Sequence, residues 1–137
     1  MQDRALFVVN SVYQLITSVN IKLSLLKDKT ADIIVTDIVP EFSEYLPRIK
    51  MTGVFDRVMS ANVKQIDRKY LTGSVSEISE GFKNSPSILR MALSDELIGY
   101  NEVYFSNFDV FARMLACRYY FNDCEFICYE DGFSTYV

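Results

Sequence analysis

The sequence predicts an α/β domain, a mostly parallel sheet of about five or more strands between layers of helices. Three observations carry this. Apolar runs at residues 5–9 and 32–36 read as strands buried on both faces, as in a parallel sheet. Segments with apolar residues at three- and four-residue spacing lie between such runs. Regular alternation of the two implies right-handed crossovers between parallel neighbours.

The elements follow in order. Residues 5–9 form the first strand. Ser11 and Gln14 make a Ser-x-x-Gln capping box, and the helix after it turns Val12, Leu15, Ile16, Val19, Leu23 and Leu26 inward. Lys27 and Lys29 suit its carboxyl end. Residues 32–36 are the second strand. Pro40 and Glu41 open a short helix to about Lys50, and Pro47 predicts a kink or an early stop. Gly53 ends that unit. Residues 55–60 form a third strand, with Phe55, Val58 and Met59 inward. A helical turn or two covers 64–71, and Ser74 with Glu77 repeats the capping-box pattern. Gly81, Asn84 and Pro86 punctuate a loop, from which a helix runs to about Leu97. Residues 102–106 are the fourth strand. Asp109 starts a helix bearing Val110, Met114 and Leu115 that reaches about Phe121, and 124–129 is the last strand. The whole reads as a single Rossmann-like three-layer domain over 1–137.

Composition narrows the function. The chain of 137 residues holds one domain with a real core, and half of it is apolar. Its 14 basic and 18 acidic residues give a net charge of -4, which argues against nucleic acid as a partner. No run of eighteen apolar residues exists, and the apolar start at 5–10 is too short for a signal-peptide core. A cytoplasmic protein is expected, with room for peripheral association of a full-length enzyme at the inner face of the membrane. Cys117, Cys124 and Cys128 are odd in number and contain no Cys-x-x-Cys, so buried free thiols are expected rather than a disulfide framework. With no histidine in the chain, no metal site is expected, and any catalysis here must use carboxylates or a residue from elsewhere.

Three junctions carry candidate chemistry. Asn10, Ser11 and Gln14 follow the first strand without a Gly-x-Gly-x-x-Gly turn or a P-loop lysine, which argues against a dinucleotide enzyme and a P-loop ATPase. Their polar groups can bond a sugar, cap the helix, or do both. Ser106-Asn107-Phe108-Asp109 follows the fourth strand, on the same edge; its polar groups, Asn107 among them, can line a cleft, or Asn107 or Asp109 can cap the next helix. Glu130-Asp131-Gly132 follows the last strand, at the sheet end where open α/β folds bind ligands. The glycine lets a ligand approach closely, and adjacent carboxylates on a strand face opposite ways. One of them can serve as a base to a hydroxyl nucleophile; an ordinary acidic turn is the alternative.

Residues around these junctions bear a family likeness. Tyr129-Glu130-Asp131-Gly132-Phe133-Ser134-Thr135-Tyr136-Val137 resembles the Asp/Glu-Asp/Glu-Gly motif of bacterial sialyltransferases, where an aromatic-acid-acid-Gly run ends an N-terminal strand. Phe7-Val8-Val9-Asn10-Ser11-Val12-Tyr13-Gln14-Leu15 is similar to the first strand and helix of those enzymes and of related capsule glycosyltransferases, which often read Ser/Thr-Pro-x-Gln. Val12 stands where proline is common.

The resemblance implies the acceptor-side domain of an inverting, two-Rossmann (GT-B) glycosyltransferase acting in capsule or lipooligosaccharide synthesis. Its partners would be an acceptor glycan and a nucleotide sugar, CMP-sialic acid. The donor would be held mainly by a C-terminal domain with His-Pro and serine motifs that this segment lacks. The segment alone would then be inactive, and no metal or other cofactor is called for. The resemblance assigns the base to Asp131, with Glu130 as runner-up. Gly132 lets the acceptor sit close, and Asn10, Ser11, Gln14 and Asn107 are candidates for acceptor contacts. Two alternatives stay open: the same fold using another nucleotide sugar, and a non-catalytic α/β binding module. A receiver domain fits poorly, since Asn10-Ser11 and Ser60-Ala61-Asn62 stand where it needs acids.

Overall fold

The computed structural model describes residues 3–71, 74–120 and 122–129, with backbone alone at 67, 68 and 71. Five parallel strands make one sheet: β1 (Arg4–Val9), β2 (Thr30–Thr36), β3 (Val58–Ala61), β4 (Glu102–Phe105) and β5 (Glu125–Cys128), in the order β3-β2-β1-β4-β5. The helices are α1 (Val12–Leu25), α2 (Phe42–Thr52), α3 (Lys64–Leu71), α4 (Val75–Lys83), α5 (Ser85–Ala92) and α6 (Val110–Tyr119). The predicted Rossmann-like, three-layer α/β fold is present.

Alternation along the strands builds two cores. Ala5, Phe7 and Val9 of β1 face one way with Ile33 and Val35 of β2, against Leu15 of α1 and Ile49 of α2. Leu6, Val8 and Ile34 face the other way, against Ile66, Leu89, Phe111, Met114 and Leu115 of α3, α5 and α6. The sheet is therefore covered on both sides, which is why its central strands read as unbroken apolar runs. No helix among the described residues is long and apolar enough to cross a membrane.

Several boundaries differ from the sequence expectation. The buried stripe of α1 holds Gln14, Leu15 and Ser18, whereas Ile16 and Leu23 are 56% and 52% exposed. α2 begins after Glu41, which takes a left-handed φ of 55°, and continues through Pro47 to Thr52. Gly53, at φ 67°, closes it as expected. Gly81 lies inside α4 rather than in a loop. α5 stops at Ala92, short of Leu97, because Leu93 pairs antiparallel with Ala61 and the Ser94 N–H donates to the Ser60 carbonyl. The thiols of Cys117, Cys124 and Cys128 are free, but Cys117 and Cys128 are exposed and Cys124 is half-buried. Among the described residues no group of three or more acidic or cysteine side chains is gathered as a metal site.

Candidate functional site

The strand order creates one point where consecutive crossovers diverge. β1 hands the chain to α1 on one face, while its neighbour β4 hands it to α6 on the other. The carboxyl ends of β1 and β4 flank the crevice where open α/β sheets take ligands.

A polar cluster fills that edge. Asn10, the first residue beyond β1, is 7% exposed. Its Oδ1 accepts from the Thr36 hydroxyl at 2.7 Å, and its Nδ2 donates to Asp109 Oδ2 at 3.2 Å. Thr36 closes β2 and is fully buried. Three strand ends are thus tied through one side chain. Asp109 also caps α6, its Oδ1 accepting from the Ala112 N–H at 2.9 Å. Burial pushes the Asp109 carboxyl above the ordinary carboxylate range; the bonds from Ala112 and Asn10 pull the other way.

The turn into α1 uses its own donors. Ser11 caps the helix, accepting from the Gln14 N–H at 3.1 Å. Gln14 Oε1 reaches back to the Asn10 N–H at 2.7 Å, one residue before the usual partner in a capping box. These bonds occupy amides that would otherwise face a phosphate at a helix N-terminus, in keeping with the missing glycine fingerprint.

The end of β5 reaches the same rim. The Tyr129 N–H donates to the Phe105 carbonyl at 2.9 Å, and the Ser106 hydroxyl donates to the Tyr129 carbonyl at 3.0 Å. The Tyr129 hydroxyl lies 3.1 Å from Ser18 Oγ on α1 and donates to the Val8 carbonyl at 3.4 Å. Strand β5 is thereby linked across β4 to β1.

Of the sequence candidates, Asn10, Ser11 and Gln14 come together at this edge. Asn107 is on the same loop as Asp109 but exposed. Glu130, Asp131 and Gly132 lie outside the described residues. Thr36 and Asp109 belong to the cluster; the sequence reading gave Thr36 no role, and gave Asp109 a place in a segment that could line a cleft or cap the next helix. The available signal was positional, since both stand at carboxyl ends of strands beside β1.

A second polar group sits at the opposite, amino edge. Asp32 is fully buried and accepts from Arg4 Nη1 at 2.7 Å, Tyr100 Oη at 2.6 Å and the Arg57 N–H at 3.0 Å. Arg57 Nη1, itself buried without a hydrogen bond, is 3.8 Å from Asp32 Oδ2. Protein donors surround this carboxylate, so it joins the entrances of four strands rather than meeting a ligand.

No family model, curated protein or solved structure matches the chain. The functional reading therefore rests on the residues and their geometry.

Proposed function

We propose that this chain is the acceptor-side domain of an inverting glycosyltransferase, a sialyltransferase that uses CMP-sialic acid to extend a capsular or lipooligosaccharide glycan. The reading is supported by the convergence at the switch-point edge. Asn10, Gln14 and Asp109 offer amide donors and a carboxylate there, the chemistry that hydroxyl-rich ligands need. Tyr129, bonded at the same edge, immediately precedes Glu130-Asp131-Gly132.

In this reading Asp131 takes the proton from an acceptor hydroxyl as that oxygen bonds to the anomeric carbon of sialic acid. The carbon–oxygen bond to CMP breaks and CMP departs with the electron pair. A base so placed contributes about 10²–10⁴-fold. The donor would be bound by a second domain, and the enzyme would work in the cytoplasm at the inner membrane face.

The test is sialic acid transfer by the full-length protein. Asp131→Asn should lose transfer by about 10²–10⁴-fold while keeping its fold and its affinity for CMP-sialic acid. Near-normal turnover in both Asp131→Asn and Glu130→Gln would overturn the base assignment. A panel of nucleotide sugars decides the donor.

A further inference from the structure

Helix α1 carries apolar side chains on both of its sides. The inner side is the buried stripe of Gln14, Leu15 and Ser18. On the outer side Tyr13, Ile16 and Leu23 are 52%, 56% and 52% exposed, and Asn20 among them is exposed too. At about 100° per residue these four fall within about 80° of arc, nearly opposite the buried stripe. A helix on a protein surface normally turns charged residues to that side. Lys22 is the one charged residue of the 14 in α1, and its Nζ is drawn to the helix end, donating to the Leu26 carbonyl at 3.0 Å. The apolar stripe borders a groove of about 270 Å³ between α1 and α2, with Ile16, Val19 and Asn20 on one wall and Tyr45, Arg48 and Ile49 on the other. An exposed apolar surface of this kind marks a place of contact.

Spacing and charge select the occupant. Tyr13, Ile16, Asn20 and Leu23 follow one another by three, four and three residues, the a-d-a-d repeat of helices that pair side by side. Asn20 takes an a position. An asparagine there costs stability but fixes the register and the number of helices. Its carboxamide both donates and accepts, so it can pair with a copy of itself. A stripe without charges meets its own copy without repulsion, as a two-fold contact between identical patches requires. A lipid surface is the poorer fit, because helices that lie on membranes are rich in lysine and arginine and α1 has Lys22 alone. A free helix of this length is marginal in water. Here the inner side already fixes α1 against the sheet, so pairing need not order it.

We propose that the outer side of α1 is a self-association face: two copies of this chain pair α1 against α1, parallel and in register about a two-fold axis, with Asn20 of each copy bonding Asn20 of the other and Tyr13, Ile16 and Leu23 packed above and below. The contact stands apart from the acceptor-side reading, since Asn10 and Gln14 are buried and take no part in it. A face about 21 Å long makes a small interface, so the association is weak.

The experiment is sedimentation equilibrium of the 137-residue chain, from about 10 μM to about 1 mM, the range in which so small an interface associates. A monomer–dimer equilibrium is expected. Ile16→Lys and Leu23→Lys change half-exposed positions and should each raise the dimer Kd at least about tenfold, with an amide NMR spectrum that shows the fold intact. Asn20→Leu should associate more tightly and lose the restriction to two copies. In a mixture of ¹³C-labelled and unlabelled chains, the Ile16 and Leu23 methyl groups should show contacts with the same residues of the unlabelled copy. Should one lysine variant fail to fold, the other variant and these wild-type contacts still decide. A monomer at every concentration overturns the proposal; binding of that monomer to vesicles of phosphatidylcholine and phosphatidylserine would give the face to a lipid surface instead. A dimer unchanged by both lysine variants lies at another face and equally overturns it. Weaker association of Asn20→Leu would overturn the pairing of Asn20 across the axis.

Discussion

Tyr100 donates its phenolic hydrogen to Asp32 at 2.6 Å in the buried amino edge of the sheet, 68 residues away in sequence. Burial, together with the Asp32 charge, pushes the Tyr100 phenol well up, so it remains a donor wherever the fold exists. Arg4 and the Arg57 backbone complete the shell around Asp32. Removing the carboxylate leaves Arg4 paired with Asp56 alone and deprives the Tyr100 hydroxyl and the Arg57 N–H of their shared acceptor. Asp32→Ala is therefore expected to cost about 3–5 kcal/mol. Tyr100→Phe, which removes one bond to a charged group, should cost roughly 1.5–3 kcal/mol. Urea unfolding measures both; an Asp32→Ala change below that of an ordinary surface substitution would show the carboxylate to be unimportant.

At the functional edge, Thr36→Val tests the tie between β2 and Asn10. Valine nearly matches threonine in shape but leaves Asn10 Oδ1 without the 2.7 Å bond it now accepts. A buried acceptor left open costs on the order of 1–3 kcal/mol. The Asn10 amide should also lose its fixed direction, so its side-chain NH₂ signals should shift. A variant as stable as the parent, with unchanged Asn10 signals, would mean that Thr36 neither supports nor orients Asn10.

The sequence displayed most of this sheet because its central strands are buried on both faces. The apolar residues of β1 and β2 lie in the two cores, and that double burial is what a continuous apolar run encodes. The cap at Ser11 was equally legible, being local. Long-range partners were not. Gln14 and Ser18 look like solvent-facing residues by periodicity, yet they are buried because Asn10 and Tyr129 bond them. The end of α5 was missed for a related reason: nothing near Leu93 in sequence announces that Ala61 will pair with it. Asp109 was readable as a cap but not as a neighbour of Asn10, a relation set only by β4 packing beside β1.

Gly81 sits in α4 under the Tyr70 ring. A Cβ there would come within 2.4–2.9 Å of three ring carbons. Two effects oppose each other in Gly81→Ala. Alanine favours a helix interior by about 1 kcal/mol. Overpacking against a buried ring costs typically 1–3 kcal/mol. Tyr70 is at most 9% exposed and has little room to retreat, so the clash should win and the variant should unfold at lower urea. A more stable Gly81→Ala would mean that the ring swings away freely and that packing of α3 on α4 is loose.

Asp109 gives the edge a pH dependence whose sign is fixed by burial. Its carboxyl titrates above the ordinary carboxylate value when folded. Between that ordinary value, about 3.9, and the raised one, the folded chain holds more protons than the unfolded chain. The Asp109 contribution to stability must therefore fall as pH climbs through this window and level off above it. Asp109→Ser keeps an N-cap for Ala112 but cannot titrate. The stability of the parent relative to Asp109→Ser should be greatest below the window and decline as pH rises through it. Thermal unfolding of both proteins, followed from the carboxylate range to neutrality, reads this directly. A difference that instead grows with pH would show the carboxylate to be stabilised in its charged form. The bonds from Ala112 and Asn10 would then outweigh burial at the crevice.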